Sequence, residues 1–218
     1  MSATTARPGR RGLSPATRRL IWIGVAILVV AFIVLGTRVI SNADPLAQRD
    51  AKFDPATFGA ETFPTVQEGV ADRAVDAKTL ADAIAADPAA AAEKYAVQSS
   101  GGPVYSVTAK GVVGEGQSGI YALTVDGLPA DLVVRVQTGP AINGTELRDA
   151  TGKIKFGEFT NQIEYQNAAA ALNEELKKAV LADIDTSALT GKTVEVTGAF
   201  TLINPKAWLI TPVKLTVE

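Results

Sequence analysis

The sequence predicts an α+β fold. Five strands form a barrel with one helix between the third and fourth strands, short helices precede it, and a single hydrophobic helix opens the chain. Three observations lead there. Alternating apolar and polar residues recur in five separate segments after Pro103. The strongest helical pattern, Thr160 to Asp183, falls after the third of these segments. A run of 17 residues without charge, Leu20 to Gly36, lies near the N-terminus.

In chain order, residues 1–19 are rich in Arg, Pro, Ser, Thr and Gly and read as a disordered tail. Leu20 to Gly36 would span about 26 Å as a helix. Extension through Ile40 brings it to about 31 Å, the thickness of a hydrocarbon core. Arg7, Arg10, Arg11, Arg18 and Arg19 precede this run and only Arg38 closely follows it. The bias predicts a transmembrane anchor over 20–40 with a cytoplasmic N-terminus and an extracytoplasmic remainder. A signal peptide cleaved after Ala43 is the competing reading; the apolar run is longer than a typical signal core.

Residues 44–75 mix Pro, Asp and Gly with isolated Phe53, Phe58 and Phe63, and read as a stalk. With the alanine-rich stretch that follows, stalk and short helices occupy 41–98. Asp76 or Thr79 can cap a helix over about 77–86. Asp87-Pro88 offers an N-cap followed by proline at the first helical position, for a second helix over 88–96. Ser99 to Pro103 breaks the pattern and opens a domain over 99–218. Strands are expected at 105–113, 120–125 and 132–137, with Gly114 to Gly119 as a turn. A structured loop with a short strand at 153–156 leads to the helix, which Thr160 can cap. Strands at 193–202 and 208–217 complete the set. Gly198 suggests a bulge, and Pro212 suggests an edge position. Three strands, a helix and two strands is the order of an OB-like five-stranded β-barrel.

Composition narrows the chemistry. With 47% hydrophobic and 20% charged residues, a packed core is expected. The chain contains no cysteine and no histidine. Disulfides, thiol nucleophiles, a lipidated cysteine, histidine relays and histidine zinc sites are therefore excluded. No metal or other cofactor is expected. Residues 1–43 carry +6, whereas 44–218 carry −8. That negative charge argues against nucleic acid as a partner, although OB-like barrels often bind it.

Gly114, Gly116 and Gly119 match a dinucleotide-binding pattern, but a strand follows them instead of a helix, so they read as a hairpin. Asn143-Gly144-Thr145 reads as a turn. The densest polar cluster comprises Thr145, Arg148, Asp149, Phe156, Phe159, Asn161 and Gln162. Amides, a charge and a stacked aromatic are what a carbohydrate-type site uses, with Tyr165 a further aromatic candidate. The competing reading makes Arg148 and Asp149 a brace within the loop and Asn161 a helix cap. Glu158, Glu164, Glu174 and Glu175 could supply a carboxylate pair for glycan hydrolysis, but Glu164, Glu174 and Glu175 also fit a solvated helix face. No catalytic residue is assigned.

The C-terminal half resembles a bacterial family of predicted periplasmic lipoproteins of unknown function. The resemblance rests on Gly139 to Asp149 (GPAINGTELRD), Phe156 to Ile163 (FGEFTNQI), Ala171-Leu172-Asn173, Gly191 to Phe200, and Ile210 to Val213. It covers roughly 100–218. Members often sit beside genes for sugar ABC transporters, so the resemblance implies an accessory role near sugar uptake. The chain departs from the family name in having no cysteine to lipidate, and a transmembrane helix would serve the same tethering. The expected function is a membrane-anchored extracytoplasmic accessory or binding protein, not an enzyme; a carboxylate-dependent glycan hydrolase and a purely structural scaffold are the alternatives.

Overall fold

The computed structural model describes residues 15–36 and 53–218, and the chain divides into two compact units, Met1–Ala51 and Lys52–Glu218. In the first unit, helix α1 spans Pro15–Gly36. It begins within the stretch expected to be a disordered tail: Pro15, with its φ already helical and no N–H to satisfy, suits a first turn. The side chains described over Trp22 to Phe32 are exposed. Among the described residues, no helix is long and apolar enough to cross a membrane. Residues 1–14 and 37–52, which hold the expected end of the anchor and the Ala43 cleavage position, lie outside the described residues.

The second unit begins with a correction. Where a stalk was expected, helix α2 spans Pro55–Arg73. Asp54 caps it, its Oδ1 accepting from the Thr57 amide at 3.0 Å, and Pro55 opens the first turn. Phe63, Val66 and Val70 form its buried stripe at i, i+3 and i+7. The helix packs against a later one, and at Gly59 an added Cβ would lie 2.8 Å from the Ala171 carbonyl oxygen. Tertiary packing, rather than propensity, explains why a segment with two glycines and an internal Pro64 stays helical. Strand β1 (Val75–Asp76) leads to helix α3 (Ala77–Ala86), capped by Asp76, and helix α4 (Pro88–Tyr95), capped by Asp87.

Strand β2 (Ala96–Ser99) turns at Ser100-Gly101 into the long strand β3 (Gly102–Gln117), so the expected break is a hairpin. Ser118 and Gly119 alone form the next turn, both with positive φ (54° and 76°), which matches a two-residue type I′ hairpin. Strands β4 (Ile120–Thr124) and β5 (Val133–Gln137) follow. Helix α5 is one turn (Glu146–Asp149); the short strand expected at 153–156 does not form, and a 3₁₀ turn spans Phe156–Glu158. Helix α6 (Gln162–Leu176) continues into a π turn over Lys177–Leu181. Its cap is Asn161, not Thr160, with Asn161 Oδ1 accepting from the Glu164 amide at 3.0 Å. Strands β6 (Thr193–Thr201) and β7 (Ala207–Val217) complete the fold.

Five strands close a ring in the order β3-β4-β5-β7-β6 and back to β3. Only the β5–β7 pairing in this ring is parallel. Pro212 is therefore not on an edge, since β7 lies between β5 and β6. It sits where the register with β6 shifts beside Gly198, as at a bulge, which is how an interior strand accommodates proline. The Val213 carbonyl at this break accepts from Gln67 Nε2 of α2 at 2.7 Å. Inside the ring Tyr105, Phe200 and Trp208 stack in sequence, with centroids 5.6 and 4.7 Å apart. All three are fully buried, and burial raises the Tyr105 phenol above its ordinary pKa.

Candidate functional site

A cleft of about 420 Å³ opens where the β2–β3 turn faces α5, the 3₁₀ turn and the start of α6. Its lining includes Gln98, Ser99 and Ser100 from the hairpin and Arg148 and Asp149 from α5. Lys155, Phe156, Gln162 and Tyr165 complete the opposite wall. The loop that carries α5 is held from behind by two buried amides. Gln137 Nε2 donates to the Asn143 carbonyl at 3.0 Å and to Thr211 Oγ1 at 2.8 Å, and its Oε1 accepts from the Asn143 amide at 3.2 Å. Asn173 Nδ2 donates to the Ile142 and Gly144 carbonyls at 3.4 and 3.1 Å. Two side chains from β5 and α6 thus fix the loop without using its own polar residues.

The floor is an ion pair between neighbours. Arg148 Nε and Nη2 donate to Asp149 Oδ1 and Oδ2 at 2.8 and 3.0 Å. Both side chains are buried, at 5% and 7% exposure, which makes geometry decisive: such a pair persists only if its remaining polar groups are satisfied. Thr145 Oγ1 donates to Asp149 Oδ2 at 2.8 Å, and the Tyr165 hydroxyl donates to Oδ1 at 3.4 Å. All four acceptor positions of the carboxylate are thereby occupied. Arg148 Nη1 donates to the Tyr165 carbonyl at 3.2 Å, and its guanidinium lies 3.6 Å from the Tyr165 ring centre. Burial, with the Asp149 charge next, raises the Tyr165 phenol above its ordinary pKa.

Of the seven residues expected from sequence, Arg148, Asp149, Phe156 and Gln162 line the cleft. Three do not. Thr145 is turned onto Asp149, and Asn161 caps α6. Phe159 packs among Phe53, Phe58 and Tyr165, at centroid distances of 5.4, 5.7 and 5.3 Å. Half-exposed Phe156 meets Tyr165 edge-on at 5.5 Å and forms the aromatic rim. Gln98 to Ser100 and Lys155 were not singled out. The hairpin lies about fifty residues upstream, and no local pattern joins it to α5.

Glu146 lies on the same turn but outside the lining. Its Oε1 accepts from Thr201 Oγ1 at 3.4 Å, while its buried Oε2 has no hydrogen-bond partner. Burial raises its carboxyl above the ordinary value; the nearby Asp149 charge adds to this and Arg148 opposes it. Glu158 and Glu164 bind the backbone amides of Lys155 and Thr160, at 3.4 and 2.9 Å, and do not line the cleft. Among the described residues, no group of acids is placed to hold a metal ion.

Two likenesses place the chain among known proteins. A family model described as "Predicted periplasmic lipoprotein (DUF2291)" matches residues 27–216. Among solved structures, the crystal structure of an OB-fold protein from Thermotoga maritima is similar, with a TM-score of 0.61 over 76% of this chain and 99% of that one. At 20% identity the likeness is one of fold. No curated protein matches. The matched span includes α2 to α4, so the helices preceding the barrel belong to the shared architecture.

Proposed function

The chain belongs to the family of predicted periplasmic lipoproteins of unknown function, and from that premise we propose that it is a membrane-tethered extracytoplasmic module that binds a small polar ligand in the Arg148–Asp149 cleft. The cleft carries the reading. It has the size of a small-molecule site, a buried charged pair at its base, an aromatic rim, and hydroxyl and amide side chains around it. Among the described residues Asp149 is the only carboxylate in the lining, and its acceptor positions are filled, which favours binding over carboxylate-driven hydrolysis. A thermal-shift screen of small hydroxylated and acidic compounds on the full-length protein tests this. Stabilising compounds should lose their effect in Ser100→Trp, which fills the cleft from the exposed hairpin. A stabilising effect that persists in this variant refutes the reading.

The tether in this proposal is the apolar run over residues 20–40, whose end lies outside the described residues. Its support is sequence: 17 uncharged residues, helical throughout, preceded by five arginines. This chain lacks cysteine, so a single introduced thiol reports topology cleanly. In Lys94→Cys, a membrane-impermeant thiol reagent should label intact cells. Labelling only after lysis refutes the orientation. The partner proposed from the resemblance is a component of a sugar ABC transporter. Crosslinking from membranes should recover one, and recovery of unrelated abundant proteins alone refutes that link.

A further inference from the structure

The hydrogen-bond inventory of the cleft is lopsided towards donors. A guanidinium has five N–H groups. At Arg148 two serve Asp149 and one serves the Tyr165 carbonyl. Two remain, one on Nη1 and one on Nη2, without a partner among the described residues. The Asp149 carboxylate has no acceptor position left to offer. Lys155 stands exposed in the same lining and forms no ion pair among the described residues. The side chains of Gln98, Ser100 and Gln162 also lack hydrogen-bond partners there and face the same space. The lining charge is +1, from Arg148, Lys155 and Asp149, within a region of the chain whose net charge is −8.

Resting on the binding reading above, we propose that the ligand is a small monoanionic carboxylate with a hydroxylated body, of the sugar-acid class. The planar remainder of the Arg148 fork suits a carboxylate. Lys155 adds the one uncompensated positive charge. A single negative charge on the ligand brings the site to neutrality, whereas a dianion would exceed it. The half-exposed Phe156 face suits a ring, and the free amides and hydroxyl suit its alcohols.

Isothermal titration of the full-length protein in uncharged detergent at low salt, with glucuronate, glucose and glucose 6-phosphate as probes, decides this. Glucuronate should bind at least ~10-fold tighter than glucose, as expected for added charge-assisted hydrogen bonds. Lys155→Gln, at an exposed position, should weaken glucuronate by about 3–5-fold, more than it weakens glucose. Raising the salt should narrow the gap between the two sugars. Equal binding of glucose and glucuronate overturns the carboxylate inference and leaves the cleft reading standing. Tighter binding of glucose 6-phosphate overturns the monoanion class. Failure of all three probes to bind a folded protein overturns the inference and the sugar-sized reading of the cleft together.

Discussion

Removing the Asp149 carboxylate tests how the cleft floor is built. Asp149→Ala leaves the Arg148 guanidinium buried with two of its hydrogen bonds gone, and leaves the Thr145 and Tyr165 hydroxyls without their acceptor. Arg148 is only 4% exposed, so water cannot readily replace what is lost. Breaking one side of a buried pair costs about 3–5 kcal/mol. Summing four bonds separately would overshoot, because the single carboxylate desolvation is shared. For a unit of this size, melting temperature falls about 2–4 °C per kcal/mol, so a drop of roughly 6–20 °C is expected. Replacing both partners, as in Arg148→Met with Asp149→Leu, should recover most of that loss, because no unpaired charge remains. Thermal and urea denaturation of the full-length protein, each followed by circular dichroism, give the temperature shift and the free-energy loss. A single variant within about 1 kcal/mol of wild type, or a double variant as unstable as the single, would refute this account of a buried charge that depends on its partner.

Two further perturbations have definite signs. Glu146 has its carboxyl raised by burial, so the native state holds the proton more tightly than the unfolded chain. Its contribution to stability is greatest below its unfolded value of about 4.5 and declines as pH rises through the higher native value. Glu146→Gln should therefore raise the urea midpoint at pH 7 but not at pH 4, and an equal gain at both would show that ionisation is not the cause. At Gly119 an added Cβ would lie 1.0 Å from the Gly139 carbonyl oxygen, on a backbone with φ of 76°. Gly119→Ala should cost more than about 2 kcal/mol, while Gly157→Ala, with open space around it, should stay within about 1 kcal/mol by the same measurement.

Much of the barrel is legible in the sequence because its signals are local. Alternation marks β3 to β7, and the Asp87-Pro88 pair marks the start of α4. The same aspartate–proline pair stands at Asp54-Pro55, yet α2 was hidden by Gly59, Pro64 and Gly69. Its stripe of Phe63, Val66 and Val70 makes sense only once α6 and the barrel wall supply something to pack on. Pro212 misled for a related reason: whether a strand is interior depends on ring closure, which no single segment records. Arg148, Asp149, Phe156 and Gln162 were legible as a cluster because they lie within fifteen residues. Thr145, Asn161 and Phe159 share that cluster but are consumed by Asp149, the α6 cap and the Phe53–Phe58 packing. The hairpin wall of the cleft, Gln98 to Ser100, is joined to it only through the β2–β3 fold.

The ring also sets an order of events during synthesis. Strand β7 supplies both closing seams, one to β5 and one to β6, and its Val213 carbonyl receives Gln67 from a helix 146 residues earlier. Until Ala207 to Val217 has left the ribosome, the Tyr105–Phe200–Trp208 stack lacks its third ring and α2 lacks part of its bed. The nascent chain therefore cannot lock into its final shape before that strand emerges. Any export route that engages its first helix during translation meets a polypeptide still loose enough to thread.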